Sequence, residues 1–366
     1  MRILFFSESA GVHERRFLTK LATTDHQIWF LPIFGAFQPN SLGDNITVLP
    51  AVHSREGLRC DFRFRAFHRL KDLLSQIGPD VVHAGPIPTC AFWAALAGAK
   101  ALLSMSWGYD LLAPPWGPIS SLKNSFVLRH SRAVICDCEL AREEIARISS
   151  PHGCRTFVFP WGIELDRFHP HAPPYGLRSQ MNWEGKHILL STRSLRPLYG
   201  TKTMIRAALK AYRQNPNLRF VFAGSGPLRK WCDRVIRNNG AEGVFCFLGQ
   251  VSEEKMPGLF SEANAYISAS RVDGSSISLL QAFAAALPVV VTNIPANREW
   301  VVPFQNGWLA PVDNSDAFAE AIVQSAQIGK ADLAEMESAN LRIAVTRADW
   351  NTNFQSLLRA YEFVGK

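Results

Sequence analysis

The sequence predicts an α/β protein made of two doubly wound domains whose parallel sheets face a central cleft. Three observations carry that prediction. The chain has 366 residues, beyond the ~100 to 200 of an ordinary single core. Short β-branched and aromatic runs alternate with helical stretches through both halves, the pattern of strand–helix–strand units. A proline-dense segment, FHPHAPPYG from Phe168 to Gly176, fits neither a helix nor a central strand and separates the halves.

In chain order, the first half offers strands at Ile3 to Phe6, Gln27 to Ile33, Asp80 to Ala84, Ala101 to Trp107, Ala133 to Asp137 and Thr156 to Pro160. Between the second and third of these, Arg63 to Ile77 sets Phe64, Phe67, Leu70, Leu74 and Ile77 on one helical face. Arg63, Arg65, Arg69 and Lys71 flank that face, so the helix suits an anionic membrane or a phosphorylated acceptor as well as a core. The second half offers strands at His187 to Thr192, Arg219 to Gly224, Val244 to Gly249, Ala265 to Ser270 and Pro288 to Thr292. The tail carries Trp350, Phe354, Leu357, Leu358 and Tyr361 at helical spacing. Domains are therefore expected at 1–172 and 173–347, with a helix over 348–366 packing back toward the first.

Hydrophobic residues make up 47% and charged residues 19%, a globular balance that excludes wholesale disorder. Thirty-nine Lys and Arg against 31 Asp and Glu give a net charge of +8. That excess suits anionic partners, whether nucleotides, phosphorylated substrates, nucleic acid or a membrane face, without choosing among them. The seven cysteines form no CxxC pair, so free thiols in a reducing compartment are expected in place of a disulfide or zinc framework. Ser7 and Glu8 interrupt the apolar opening MRILFF, and Lys100 cuts the run from Cys90 to Ala99 short of the ~20 residues a span needs. Neither a signal peptide nor a transmembrane segment is predicted.

The stretch Ser268 to Thr292, SASRVDGSSISLLQAFAAALPVVVT, reads as strand, loop, helix, strand. Small residues at Gly274, Ser275 and Ser276 let backbone N–H groups approach an anion. A helix starting near Ile277 or Ser278 adds its positive dipole end. Asp273 precedes that helix and Gln281 lies on its first turns, so both can face one ligand.

This stretch resembles the E-x7-E region of retaining, GT-B-fold glycosyltransferases of family 4, usually written like EGxPxxLLEAMAxGxPVVAT. NIPANREWV with Glu299 and QNGWLAPVDN follow in the family's order. FPWGIELDRFHP resembles the family's NGVDxxxFxP, with Glu164 near the expected domain junction. The resemblance covers most of the chain and implies a GT-B architecture of two Rossmann-like domains. It further implies transfer of a sugar from a nucleotide-sugar donor to an acceptor hydroxyl with retention, in glycan, glycolipid or glycoconjugate synthesis.

Residue by residue, Arg193 falls on the family's phosphate-binding arginine. A guanidinium at a strand end can fork onto diphosphate oxygens. The family's lysine is replaced by Tyr199, which leaves Arg196 or Lys202 to supply a second cation, or none. Gly224 and Gly226 resemble the family's GxGP turn. Arg229 stands where a dinucleotide fingerprint wants its third glycine, which disfavours NAD. Gln250 and Val251 follow FLG, which resembles the strand end whose backbone meets the nucleobase. Gly11, His13 and Arg15 fall on the first loop, and Asp110 matches the aspartate of HGxD, with Trp107 in place of its histidine. Asp273 shortens the first signature acid, and Gln281 replaces the second.

The resemblance thus implies that Arg193 and Asp273 are catalytic. It places Gly11, Arg196, Lys202, Gly224, Gly226, Gln250, Val251, Gly274, Ser275, Ser276, Ile277 and Gln281 at the donor, and His13, Trp107 and Asp110 at the sugar or acceptor. No metal-binding DxD occurs, so no cofactor and no metal requirement are expected. The implied partners are a nucleotide-sugar, a glycan, lipid-linked or small-molecule acceptor and an anionic membrane face, with no nucleic acid. The implied compartment is the cytoplasm. A nucleotide- or glycan-binding protein without turnover is the second reading, motivated by Tyr199, Gln281 and Trp107.

Overall fold

The computed structural model describes residues 1–35, 37, 42–52, 62–113 and 118–366, with the backbone alone at 62–66 and 118. Cys60 and the side chains of Arg63, Phe64 and Arg65 on the predicted basic helix lie outside the described residues. The chain divides into two compact units, Met1–Phe159 together with Phe354–Lys366, and Pro160–Asn353.

The first unit is built on seven parallel strands, β1 (Arg2–Ser9), β2 (Gln27–Phe34), β3 (Ile46–Val48), β4 (Val81–Gly85), β5 (Leu102–Met105), β6 (Ala133–Cys136) and β7 (Thr156–Val158), in the order β3-β2-β1-β4-β5-β6-β7. Every residue of β4, β5 and β6 is buried, as expected where helices cover both faces of a parallel sheet. The register sets Phe5 beside Phe30 and His83, and the Phe5 and His83 rings stack with centroids 4.4 Å apart. The C-terminal helix seals this unit. Tyr361 is fully buried, with its hydroxyl 2.8 Å from His83 Nδ1, and Arg132 donates to the Val364 carbonyl.

The second unit carries β8 (His187–Ser191), β9 (Leu218–Phe222), β10 (Phe245–Phe247), β11 (Ala265–Ser268), β12 (Val289–Thr292) and β13 (Gly307–Ala310) in the order β10-β9-β8-β11-β12-β13. Side chains alternate between its faces. Leu189, Phe220, Ile267 and Val290 pack with Met204 and Phe318 on one side. Ile188, Leu190, Val221, Tyr266 and Val291 pack with Leu280 and Phe283 on the other.

Both strand orders reverse once, between β1 and β4 and between β8 and β11. Loops at the carboxyl ends of those strands splay apart there, and open α/β sheets bind ligands at such points.

The structure differs from the sequence expectation in two places. It divides the chain after Phe159, not after residue 172. The proline-rich segment is no linker: Phe168 and Ala172 are buried in the second unit, and Tyr175 N donates to the Gly258 carbonyl. The turn around Gly162 is likewise tied into that unit, where Ile163 N bonds Ala348 O and Trp350 N bonds Ile163 O. Two strands, β3 and β13, were not expected. Both are short edge strands; β3 lacks the aromatic residue that marks the equally short β7, and β13 carries Gly307 and Ala310, residue types depleted in strands.

Candidate functional site

Arg193 follows β8 and Asp273 follows β11, the strands on either side of the second unit's switch point. Their side chains meet: Arg193 Nη2 lies 2.7 Å from Asp273 Oδ2, with the two side chains only 11% and 15% exposed. Arg193 Nη1 also donates to Ser276 Oγ at 2.8 Å. Tyr199 stacks on the guanidinium, with Cζ 4.1 Å from the ring centroid. Arg193 Nε is buried with no hydrogen-bond partner.

Burial pushes the Asp273 carboxyl above the usual carboxylate range, although Arg193, Ser270 and the Gly274 N–H all favour its charged form. Burial lowers the Arg193 guanidinium, but the Asp273 carboxylate together with Tyr266 and Tyr199 outweighs it and leaves the pKa raised. A buried carboxylate beside a buried guanidinium is therefore a compensated pair.

The loop bearing Asp273 is held firmly. Trp300 Nε1 donates to Ser275 Oγ at 3.0 Å, and Gly274, Ser275 and Ser276 are buried. Ser276 caps the helix Ile277–Ala284, and its carbonyl accepts from Leu279 N and Leu280 N. Gln281 is half-buried on that helix. The helix start, Arg193 and small loop residues together suit an anion such as a phosphate.

Gly224 and Gly226 act through packing. A Cβ on Gly224 would collide with the Arg193 carbonyl, and one on Gly226 with the Leu195 carbonyl. Leu195 N bonds Ser225 O and Leu228 N bonds Leu195 O, so the loops after β8 and β9 are zipped together. Gln250 is exposed and Val251 half-buried in the loop after β10, whose strand lies two places from β8. Arg196 is exposed, and the Lys202 ammonium sits 5.5 Å above the Trp231 ring.

The first unit gathers its own group. Gly11 caps the helix Val12–Leu21 and its N–H donates to Glu14 Oε2 at 3.1 Å. His13 and Trp107 meet with ring centroids 5.6 Å apart. Arg15 instead lies over Phe37, with Cζ 4.9 Å from the ring. Asp110 is a brace: its Oδ2 accepts from Ile87 N at 2.9 Å and its Oδ1 from Ser106 Oγ at 2.7 Å, tying the loop after β5 to the one after β4. Burial raises its carboxyl against those bonds.

Sequence reasoning missed Glu8, near the end of β1, and Glu14. Glu14 accepts from Ser7 Oγ at 2.7 Å, and burial raises its carboxyl. Burial, then Glu14 and Asp110, raise that of Glu8. The signal for Glu8 was its place at the carboxyl end of the central strand. Glu299 offers its carbonyl to Arg347. The Glu164 carbonyl accepts from Arg167 N and Phe168 N in a turn.

Among the described residues, no three or more His, Cys, Asp or Glu are grouped to hold a metal ion. No helix there is long and apolar enough to cross a membrane.

Residues 177–361 match the family described as glycosyl transferases group 1. The chain is 28% identical over 180 residues to a protein named putative glycosyltransferase EpsD from Bacillus subtilis, covering 48% of this chain and 47% of that one. It is 29% identical over 219 residues to a phosphatidyl-myo-inositol mannosyltransferase of Mycobacterium tuberculosis, covering 58% and 55%. The match thus spans about half the length of these relatives. Among solved structures, Anabaena HepE in complex with UDP-glucose superposes with a TM-score of 0.80 at 18% identity, covering 99% of this chain and 100% of that one. That likeness establishes the fold as GT-B.

Proposed function

Since the chain belongs to the glycosyl transferases group 1 family, we propose that it is a retaining glycosyltransferase that takes its sugar from a nucleotide-sugar held by the second unit. The observation that carries this reading is the Arg193 cluster, set at the β8/β11 switch point against the start of the helix Ile277–Ala284. Arg193 and that helix start neutralise the leaving diphosphate as the bond from the anomeric carbon to the phosphate oxygen breaks. The acceptor oxygen bonds the anomeric carbon on the same face, and its proton passes to the departing phosphate oxygen. Asp273 orients both Arg193 and the sugar.

The acceptor belongs to the first unit, around His13 and Trp107. Val12 and Tyr109 are exposed there, and Ile119 and Leu122 are exposed on the helix Pro118–His130, which favours an acceptor with an apolar or lipid-linked part. The relative named for phosphatidyl-myo-inositol supports that class, and with it a cytoplasmic enzyme peripheral to an anionic membrane. Neither a metal nor a cofactor is part of this reading.

The test is calorimetric titration with UDP, GDP, ADP, CMP and dTDP, comparing wild type with Arg193→Ala, followed by transfer from the matching nucleotide-sugars. Binding of one nucleotide that weakens in the variant, together with turnover, is expected. No binding to any of them overturns the reading, and binding without transfer to any acceptor leaves a nucleotide-binding protein.

A further inference from the structure

Tyr199 closes the turn Pro197–Tyr199, and the Arg193 guanidinium lies over its ring, with Cζ 4.1 Å from the centroid. The turn is rigid for identifiable reasons. Pro197 fixes its first position. Gly200 takes a left-handed φ of 59° and packs so tightly on Ala269 that a Cβ would run into the Ala269 carbonyl. Arg271 N donates to the Leu198 carbonyl at 2.9 Å. The turn carrying Tyr199 is thus stitched to the segment that leads from β11 to Asp273, so Tyr199 and Asp273 ride on one scaffold.

Among the described residues, the two cations the sequence offered for this place are held elsewhere or face solvent. Arg196 is exposed, and Lys202 lies over Trp231. Arg193 is held at its edge by Asp273 and Ser276 and on its face by Tyr199. We propose that Tyr199 is a positioning residue for Arg193, and that the diphosphate site works with a single guanidinium held against this ring in place of a second cation. This rests on the donor-site reading above. A neutral ring at this position attracts the guanidinium through its quadrupole while adding no like charge beside it. A lysine there would repel it.

The experiment titrates whichever of UDP, GDP and ADP the wild type binds into Tyr199→Phe, Tyr199→Leu, Tyr199→Met and Tyr199→Lys, with melting temperatures measured alongside. Phe keeps the stack and is expected to bind within about two-fold of wild type. Leu and Met fill the space without a π face and are expected to bind about ten-fold more weakly, the effect of a desolvated cation–π contact. Lys is expected to weaken binding as well. Rescue by Phe separates positioning from bulk, which Leu and Met also supply. Equal affinity in wild type, Leu and Met overturns the role of Tyr199 and leaves the donor site standing. Tighter binding in Lys overturns the single-cation site. A wild type that binds no nucleoside diphosphate removes the donor-site reading and this inference with it.

Discussion

Arg193 and Asp273 neutralise each other: their charged groups lie 2.7 Å apart, nearly buried, across the strand reversal of the second sheet. Their summed charge is zero, so in the donor site proposed above the attraction for a diphosphate would come from the guanidinium N–H groups left over and from the helix start at Ser276.

The first prediction concerns coupling between the two. Arg193→Ala removes donors and leaves a buried carboxylate facing the anion, and a bond to a charged group is worth about 1.5 to 3 kcal/mol. Nucleoside diphosphate affinity should fall roughly 10- to 100-fold. The double variant Arg193→Ala/Asp273→Ala should bind more tightly than Arg193→Ala alone, because the unpaired carboxylate is gone. A calorimetric double-mutant cycle measures this, and strictly additive losses would contradict the pairing.

The second concerns pH. Burial raises the Asp273 carboxyl above its ordinary value. Protonation removes a negative charge from beside the incoming anion, so nucleoside diphosphate binding takes up a proton at Asp273 and tightens as pH falls toward its raised pKa. Asp273→Asn should flatten this dependence. Affinity that weakens on acidification in wild type, measured with a nucleotide whose own phosphate ionisation is corrected for, would contradict it.

How much of this was legible in the sequence depended on the range of the interaction. Among the described residues thirteen strands occur, and eleven were visible as apolar runs. β3 and β13 were not: β3 lacks the aromatic residues of the equally short edge strands β7 and β10, and β13 carries Gly307 and Ala310, residue types depleted in strands. Arg193 was singled out by the family resemblance and Asp273 by its loop before a helix and the signature it resembles, but their pairing was invisible, since each was assigned its own ligand. Tyr199 read as a lost lysine, and its stacking on Arg193 exists only in three dimensions. The prolines at 170, 173 and 174 announced a break in regular structure, which is correct locally. Whether such a break links domains or lies against a core is decided by burial, and Phe168 is buried.

The third prediction separates packing from ligand contact at Gly224. A methyl there meets the Arg193 carbonyl, so Gly224→Ala must push apart the loops after β8 and β9. Overpacking of this kind costs about 1 to 3 kcal/mol. The variant should melt several degrees lower and also lose nucleotide affinity, because Arg193 moves with its own backbone. Chemical denaturation and calorimetry on the same preparation measure both; unchanged stability with lost binding would show instead that Gly224 acts by direct contact with the ligand.

The last prediction concerns the core of the first unit. His83 is fully buried on β4, with Nδ1 2.8 Å from the Tyr361 hydroxyl and Nε2 3.3 Å from Met105 Sδ. Burial lowers its pKa from 6.5 to about 3, so the folded chain keeps the ring neutral where the unfolded chain protonates it. Between about pH 6.5 and 3 the unfolded state binds more protons at this site. Its contribution to stability is therefore full above pH 6.5 and is lost as pH falls through that window, at up to about 1.4 kcal/mol per pH unit. The carboxyls of Glu8, Glu14 and Asp110, raised by burial, act with the opposite sign near the low end, so the total curve alone does not isolate the histidine. His83→Gln removes the titration and keeps a hydrogen-bonding group for Tyr361. It should be less stable than wild type at pH 7 and should lose less on acidification to pH 4.5. Urea midpoints for both proteins across that range measure the difference, and parallel curves would mean that His83 titrates alike in the folded and unfolded chain, as a solvated ring would.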